Sequence, residues 1–285
     1  MRPDWLKIRL PTGKNFNEIK DILRENELHT VCEEAFCPNI GECFEQRTAT
    51  FLILGDTCTR KCGFCAVKKG MPLGIDKGEP LRIAEAVQKM QLKYVVITSV
   101  TRDDLADGGA SVYAQTIQCI CERIQDCTIE VLIPDFSGSS EALEIVLNTR
   151  PDILNHNIET VPRLYSQVRP MANYERSLGL LKHAKETVNE LTTKSGLMLG
   201  LGEEWHETIS VMQDIRDVGC NILTIGQYLS PKRDALPIHR YYTPEEFEML
   251  KIEGEQMGFK HIEAGPLVRS SYHAKTQSDQ VFAKV

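Results

Sequence analysis

The sequence predicts an α/β protein: a partial (β/α)6 TIM-like barrel over 51–258, preceded by an N-terminal extension at 1–50 and followed by a short C-terminal extension at 259–285. Three observations lead there. From residue 51 onward, short runs rich in β-branched residues alternate with longer segments of helical period, the mark of repeated βα units. The runs are almost continuously apolar, as in a parallel sheet covered on its outer face by helices and filled inside by side chains. Only six units can be drawn, fewer than the eight of a closed barrel, and the Gly-x-Gly-x-x-Gly turn of a doubly wound sheet is missing after the first strand. A sheet left open along one side would admit a large substrate.

In order, the expected strands are Phe51–Gly55, Tyr94–Ser99, Thr128–Pro134, Ile153–Asn157, Ser195–Leu201 and Ile222–Tyr228. Helical periodicity falls near Leu81–Met90, Ala110–Ile124, Ser140–Asn148, Tyr174–Glu190, Glu207–Val218 and Pro244–Met257. The N-terminal extension reads as a helix near Asn17–Glu27 followed by a cysteine-bearing loop. From about Gln277 the chain is polar and is expected to fray.

Composition narrows the function classes. With 285 residues, 42% hydrophobic and 26% charged, the chain can bury most of its apolar surface without disulfides or metals as staples. The longest apolar runs, such as Tyr94–Val100, are too short to cross a bilayer, and Met-Arg-Pro-Asp-Trp-Leu-Lys lacks the apolar core of a secretory signal. A cytoplasmic protein with no membrane partner is expected. A net charge of −7 argues against nucleic-acid binding, which needs a broad basic face. Arg60, Lys61, Lys68 and Lys69 could form a local basic surface or simply a solvated loop.

Ten cysteines are distributed unevenly, six of them between Cys32 and Cys65. Without an export signal, metal binding is favoured over disulfides. Cys119, Cys121, Cys127 and Cys220 are scattered and read as buried small hydrophobes. Cys58, Cys62 and Cys65 are spaced C-x3-C-x2-C directly after the first strand. Three thiolates on a tight glycine-bearing loop can hold three corners of a cubane and leave the fourth iron open. A structural zinc site is the alternative, but it normally closes with four ligands, and no second C-x2-C hook lies nearby.

This motif, with Phe64 before its last cysteine, resembles that of the radical S-adenosylmethionine superfamily. The resemblance implies a [4Fe–4S] cluster on Cys58, Cys62 and Cys65 whose open iron chelates S-adenosyl-L-methionine, and reductive cleavage to a 5′-deoxyadenosyl radical. Gly196-x-Met198-x-Gly200-x-x-Glu203 is similar to the superfamily's G-x-I-x-G-x-x-E element, which implies a place beside adenine. Thr98 and Ser99 close the second strand and Asn155 and Asn157 the fourth, at the barrel mouth where such folds keep their chemistry. Either pair could contact the cofactor or only satisfy loop backbone.

Cys32, Cys37 and Cys43, spaced C-x4-C-x5-C, form a second trio, for which zinc or plain buried thiols are the alternatives. Taken with Val31-Cys32-Glu33-Glu34-Ala35, Arg102-Asp103-Asp104-Leu105, Asn155-His156-Asn157 and Arg269-Ser270-Ser271-Tyr272-His273-Ala274, the pattern resembles the lipoyl synthase family along nearly the whole chain. The resemblance implies a sulfurtransferase of lipoate biosynthesis that inserts sulfur at C6 and C8 of a protein-bound N6-octanoyl-lysine. It implies two [4Fe–4S] clusters and two S-adenosyl-L-methionine molecules per lipoyl group. The auxiliary cluster, on Cys32, Cys37, Cys43 and a serine, would be the sulfur donor; the serine is Ser271, with Ser270 the second choice. The implied partners are octanoylated lipoyl carrier domains (2-oxoacid dehydrogenase E2 or glycine cleavage H protein), a ferredoxin or flavodoxin reductant and an iron–sulfur carrier protein, around a monomeric enzyme. A biotin synthase or a methylthiotransferase fits less well, because the second trio precedes the barrel and the chain carries Arg-Ser-Ser-Tyr near its end; a non-enzymatic iron–sulfur carrier or redox protein is the other alternative, and only a radical enzyme would release 5′-deoxyadenosine from S-adenosylmethionine and reductant.

Overall fold

The computed structural model describes residues 3–8 and 12–283, which fall into two compact units. The first comprises Ile8–Arg60 and Ala66–Ile153; the second comprises the residues from Leu154 onward together with Lys61–Cys65 and the described residues before Ile8.

In the first unit, α1 (Lys14–Glu25), β1 (His29–Thr30), α2 (Val31–Glu34) and α3 (Ile40–Glu45) precede β2 (Thr50–Ile53). There follow the small pair β3 (Thr57–Cys58) and β4 (Lys68–Lys69), then α4 (Glu79–Lys89), β5 (Tyr94–Ser99), α5 (Ala110–Arg123), β6 (Thr128–Leu132) and α6 (Ser140–Leu147). The sheet order is β1-β2-β5-β6, with β1 antiparallel to β2 and the other pairs parallel, Phe51 opposite Ile97 and Val95 opposite Ile129. The strand side chains Phe51, Ile53, Val95, Ile97 and Val131 are buried, as are Ile83 and Val87 of α4 and Tyr113, Ile117 and Ile120 of α5. Branched side chains suit the pleated, doubly covered strand, and the 3–4-residue spacing on the helices supplies the matching apolar stripe.

β7 (Ile153–Asn155) carries the chain into the second unit, which contains α7 (Tyr165–Val168), α8 (Tyr174–Thr187), β8 (Thr192–Leu199), α9 (Trp205–Asp217), β9 (Ile222–Gln227), α10 (Pro244–Gln256), β10 (His261–Gly265) and α11 (Ala274–Phe282). Here the order is β7-β8-β9-β10, with β8, β9 and β10 mutually parallel. Local chemistry fixes the helix starts. Thr243 and Glu246 form a reciprocal capping box at α10, with Pro244 in its first turn, and the Asn173 side chain accepts from Arg176 N–H at 2.8 Å to start α8. Among the described residues no helix is long and apolar enough to cross a membrane.

The structure differs from the sequence reading at several places. The cysteine-bearing loop of the N-terminal extension is in fact two short helices, because Thr30 caps α2 by accepting from Glu33 N–H and Phe36 takes a left-handed φ of 52° that turns the chain toward α3. The segment at 259–285 holds a further parallel strand, β10, in which Ile262 is the one large apolar residue of five, so there is no apolar run to detect. The chain does not fray from Gln277: it continues α11, with Gln277, Ser278 and Val281 buried. Of the four scattered cysteines only Cys220 is buried; Cys121 is exposed and Cys119 and Cys127 are half-buried. Arg60 leaves the basic surface altogether, as its guanidinium is buried in ion pairs.

Candidate active site

Cys58 ends β3, which is held by parallel pairing with β4 and by Gly70 N–H donating to the Cys58 carbonyl at 3.0 Å. The Cys58 sulfur accepts two backbone N–H groups, from Arg60 at 3.4 Å and Thr101 at 3.3 Å. Such donors orient the sulfur and suit it to a place as a cluster ligand. The same stretch is pinned from the side. Arg60 forks onto Asp103, with Nε and Nη2 donating at 2.8 Å each, and Nη2 also reaches Asp135 at 2.6 Å. Partial burial would raise the Asp103 carboxyl, but the Arg60 bonds outweigh it and hold that carboxyl below the usual range. Burial likewise opposes the Arg60 charge, and the two carboxylates reverse the sign and raise it.

Cys62 and Cys65 belong to the second unit and are half-buried. Between them Gly63 donates its N–H to Val168 O at 2.9 Å and accepts from Leu236 N–H at 3.1 Å; a Cβ at Gly63 would lie 2.9 Å from the Leu236 side chain. The glycine of Cys-Gly-Phe-Cys is therefore required for close approach.

Of the second trio, Cys32 lies on α2, Cys43 on α3 and Cys37 in the connection between them. Cys37 N–H donates to Cys32 O at 3.1 Å and Cys43 N–H to Asn39 O at 2.9 Å, so backbone turns set the spacing of the three thiols. Burial pushes the Cys32 thiol well up, and Cys37 and Cys43 push it further; Cys43 is raised to about 12 by burial, then by Cys37 and Glu42. All ten cysteines are free thiols. Cys32 and Cys43 resist ionisation beside Cys37, and iron bound there would supply the positive charge that lets them ionise. Among the described residues no trio of His, Cys, Asp or Glu closes around a single metal ion.

In the second unit the remaining sequence candidates surround β8. Gly196 lies in the strand: a Cβ there would come within 2.8 Å of both Asn157 Oδ1 and Thr224 Oγ1 and 3.1 Å of Ser270 Oγ. Met198 is half-buried, with its N–H donating to Glu159 O at 2.8 Å. Gly200 has a φ of +105° and its missing Cβ would meet Gln227 at 2.2 Å and Arg240 O at 2.6 Å. The Glu203 carboxylate accepts from Gly200 N–H at 2.6 Å and Leu201 N–H at 2.9 Å, so it fixes the strand-end turn. Asn155 is buried at the end of β7, and Asn157 bonds Ser270. In the first unit the Thr98 hydroxyl donates to Leu132 O at 2.9 Å, and Ser99 is half-buried at the end of β5.

Three residues escaped the sequence reading. Arg169 is buried, donating to Asn157 O at 2.8 Å and Ile158 O at 3.2 Å. Glu159, at a φ of 70°, accepts from Asn157 at 3.0 Å. Gly226, inside β9, would drive a Cβ to 2.1 Å from Val268 O. A glycine within an apolar strand was the available signal for close backbone approach.

Two family models match: that of the radical SAM superfamily over residues 52–215, and that of the N-terminal domain of lipoyl synthase over residues 1–37. A lipoyl synthase of Rubrobacter xylanophilus is 58% identical over 278 residues, covering 98% of this chain and 87% of the relative. The chain belongs to the lipoyl synthase family. A second lipoyl synthase, of Roseiflexus sp., is 55% identical over 273 residues, covering 96% of this chain and 91% of its own. Among solved structures, a maturase of the [FeFe]-hydrogenase superposes with a TM-score of 0.58 at 14% identity, covering 89% of this chain and 59% of that one. A methylornithine synthase gives 0.55 at 11% identity, covering 85% and 70%. At those identities the likeness establishes a shared fold, which bears out the expected α/β class. Membership of the lipoyl synthase family bears out the resemblance drawn from the two cysteine trios and the Arg-Ser-Ser-Tyr element.

Proposed function

We propose that this member of the lipoyl synthase family inserts sulfur at C6 and C8 of a protein-bound octanoyl-lysine, using two separate [4Fe–4S] clusters with unlike fates. Cys58, Cys62 and Cys65 hold the cluster that works with S-adenosyl-L-methionine. Cys32, Cys37 and Cys43 hold the one that gives up its sulfide, with Ser271 as the fourth ligand implied by the family. The target carbons carry no acidic proton, so general acid–base catalysis, worth roughly 10²–10⁴-fold elsewhere, has nothing to act on. When bound, the clusters and cofactor supply the carbon-centred radical and the sulfide, while the protein orients and shields them.

The observation that carries the reading is the second trio: Cys32 on α2, Cys37 in the connection after it and Cys43 on α3, with Cys32 and Cys43 raised by burial and by Cys37. That arrangement holds iron firmly only while iron is present. Once the cluster is dismantled the thiols reprotonate rather than remain as stranded buried charges, which eases its loss and its rebuilding. A serine oxygen is a harder ligand than thiolate and is displaced more readily. Continued turnover then calls for an iron–sulfur carrier protein, and each cofactor cleavage for a ferredoxin or flavodoxin electron. Lys68 and Lys69, both exposed on β4, offer positive charge to an acidic lipoyl carrier domain.

The test is anaerobic reconstitution followed by turnover on an octanoylated carrier peptide read by mass spectrometry. About eight irons per chain are expected, against about four if only one cubane forms. The Cys37→Ala protein is expected to go on releasing 5′-deoxyadenosine while the lipoyl product falls below detection. Zinc at either trio, or full lipoyl formation by Cys37→Ala, would reject the proposal.

A further inference from the structure

Two adjacent serines could supply the oxygen ligand, and the second unit treats them differently. The Ser270 hydroxyl is engaged on both sides by one amide: Asn157 Nδ2 donates to Ser270 Oγ at 2.8 Å, and Ser270 Oγ donates to Asn157 Oδ1 at 3.0 Å. The amide cannot be reversed cheaply, because Nδ2 also donates to Glu159 Oε1 at 3.0 Å, and a flip would set oxygen against carboxylate. Arg169 holds the Asn157 backbone from behind by donating to its carbonyl at 2.8 Å. Ser270 therefore has its proton committed, and an alkoxide ligand must give that proton up. Ser271 is half-buried, and its backbone carbonyl, not its hydroxyl, is what accepts from Ala274 N–H at 3.4 Å.

Two glycines clear the ground for this arrangement. The missing Cβ of Gly196 makes room for the Asn157–Ser270 pair, and that of Gly226 for the Val268 carbonyl, which a side chain would strike at 2.1 Å. At Gly226 the obstruction is backbone, which cannot swing away as a long side chain can. Val268 is buried, with its N–H donating to Gly265 O at 3.1 Å, and Arg269 Nη1 folds back onto Val268 O at 2.6 Å.

From these contacts we infer that Asn157, Gly196 and Gly226 form a seat for the 268–272 turn, occupying Ser270 as an anchor and presenting Ser271 as the hydroxyl available to iron. Asn157 and Ser270 are positioning residues. The inference rests on the proposed function, in which a serine completes the auxiliary cluster.

The test uses the reconstituted full chain and follows loss of the cluster to a chelator by absorbance and iron count, alongside 5′-deoxyadenosine release. Residues supporting a metal ligand typically alter affinity by roughly 10–100-fold when removed. Ser270→Ala is expected to speed chelator release of half the iron by about tenfold or more, approaching Ser271→Ala, with 5′-deoxyadenosine release within about twofold of the parent. Asn157→Ala should speed release similarly, and the Asn157→Ala/Ser270→Ala double variant should be no worse than either, since both remove one shared contact. If Asn157→Ala does not accumulate as folded protein, Ser270→Ala, which deletes one oxygen, decides alone. Parental iron retention by Ser270→Ala, beside accelerated loss from Ser271→Ala, overturns the seat and leaves the proposed function standing. Parental retention by Ser271→Ala removes the serine ligand itself, and the seat with it.

Discussion

The two cysteine regions solve different problems with the same ligand type. At Cys58 the sulfur faces two backbone N–H donors, and its neighbour Arg60 is locked to Asp103 and Asp135. At Cys32 and Cys43 the thiols rest on short helices, and both are raised by burial and then by Cys37. The first arrangement surrounds its sulfur with backbone donors; in the second, burial and a neighbouring thiol oppose charge on Cys32 and Cys43. The proposed function, with one cluster kept and the other dismantled, would use that contrast.

Breaking each side should give unlike losses. The largest falls on the first region: Cys58→Ala is expected to reduce 5′-deoxyadenosine formation by at least roughly a thousandfold, equivalent to about 4 kcal/mol of barrier, whereas a cysteine lost from the second trio spares it. Product quantification after anaerobic turnover separates the two. Next, Arg60→Ala breaks the buried ion pair with Asp135 and the fork onto Asp103, and a loss of about 3–5 kcal/mol in unfolding free energy is expected by chemical denaturation. In the second region, Thr30→Ala removes the cap of α2 and should cost about 1 kcal/mol, with faster iron loss from that trio as the accompanying sign.

The smallest effect is a pH slope. Asp103 binds protons less readily folded than unfolded, so its contribution is complete above the ordinary carboxylate value of about 3.9 and disappears as pH falls through its depressed folded value. Denaturation of the cluster-free protein from pH 6 downward should show a shallower acid loss in Asp103→Asn; an unchanged slope would remove Asp103 from the pinning network.

Where apolar runs do the folding, the chain was legible: β5 spans Tyr94–Ser99 as expected, and β2, β6 and β9 differ from expectation by one or two residues at their ends. Both trios and the Arg-Ser-Ser-Tyr element stood out by spacing. What stayed hidden depends on long-range contact rather than pattern. β10 has one large apolar residue and finds its place by pairing with β9; α11 is polar yet packs Gln277 and Val281 inward. Arg60 looks like any surface arginine until Asp103 and Asp135, far along the chain, converge on it. The difference between Ser270 and Ser271 cannot be read from two identical letters, because Asn157 makes it from more than a hundred residues away.

The placement of α11 also bears on the timing of biosynthesis. Because the helix starts three residues after Ser271 and packs its inner face against buried neighbours, the turn gains its C-terminal support only when residues 274–282 have left the ribosome. Cys32, Cys37 and Cys43 emerge far sooner. The proposed cysteine ligands therefore leave the ribosome well before the turn that carries the proposed serine ligand can be secured.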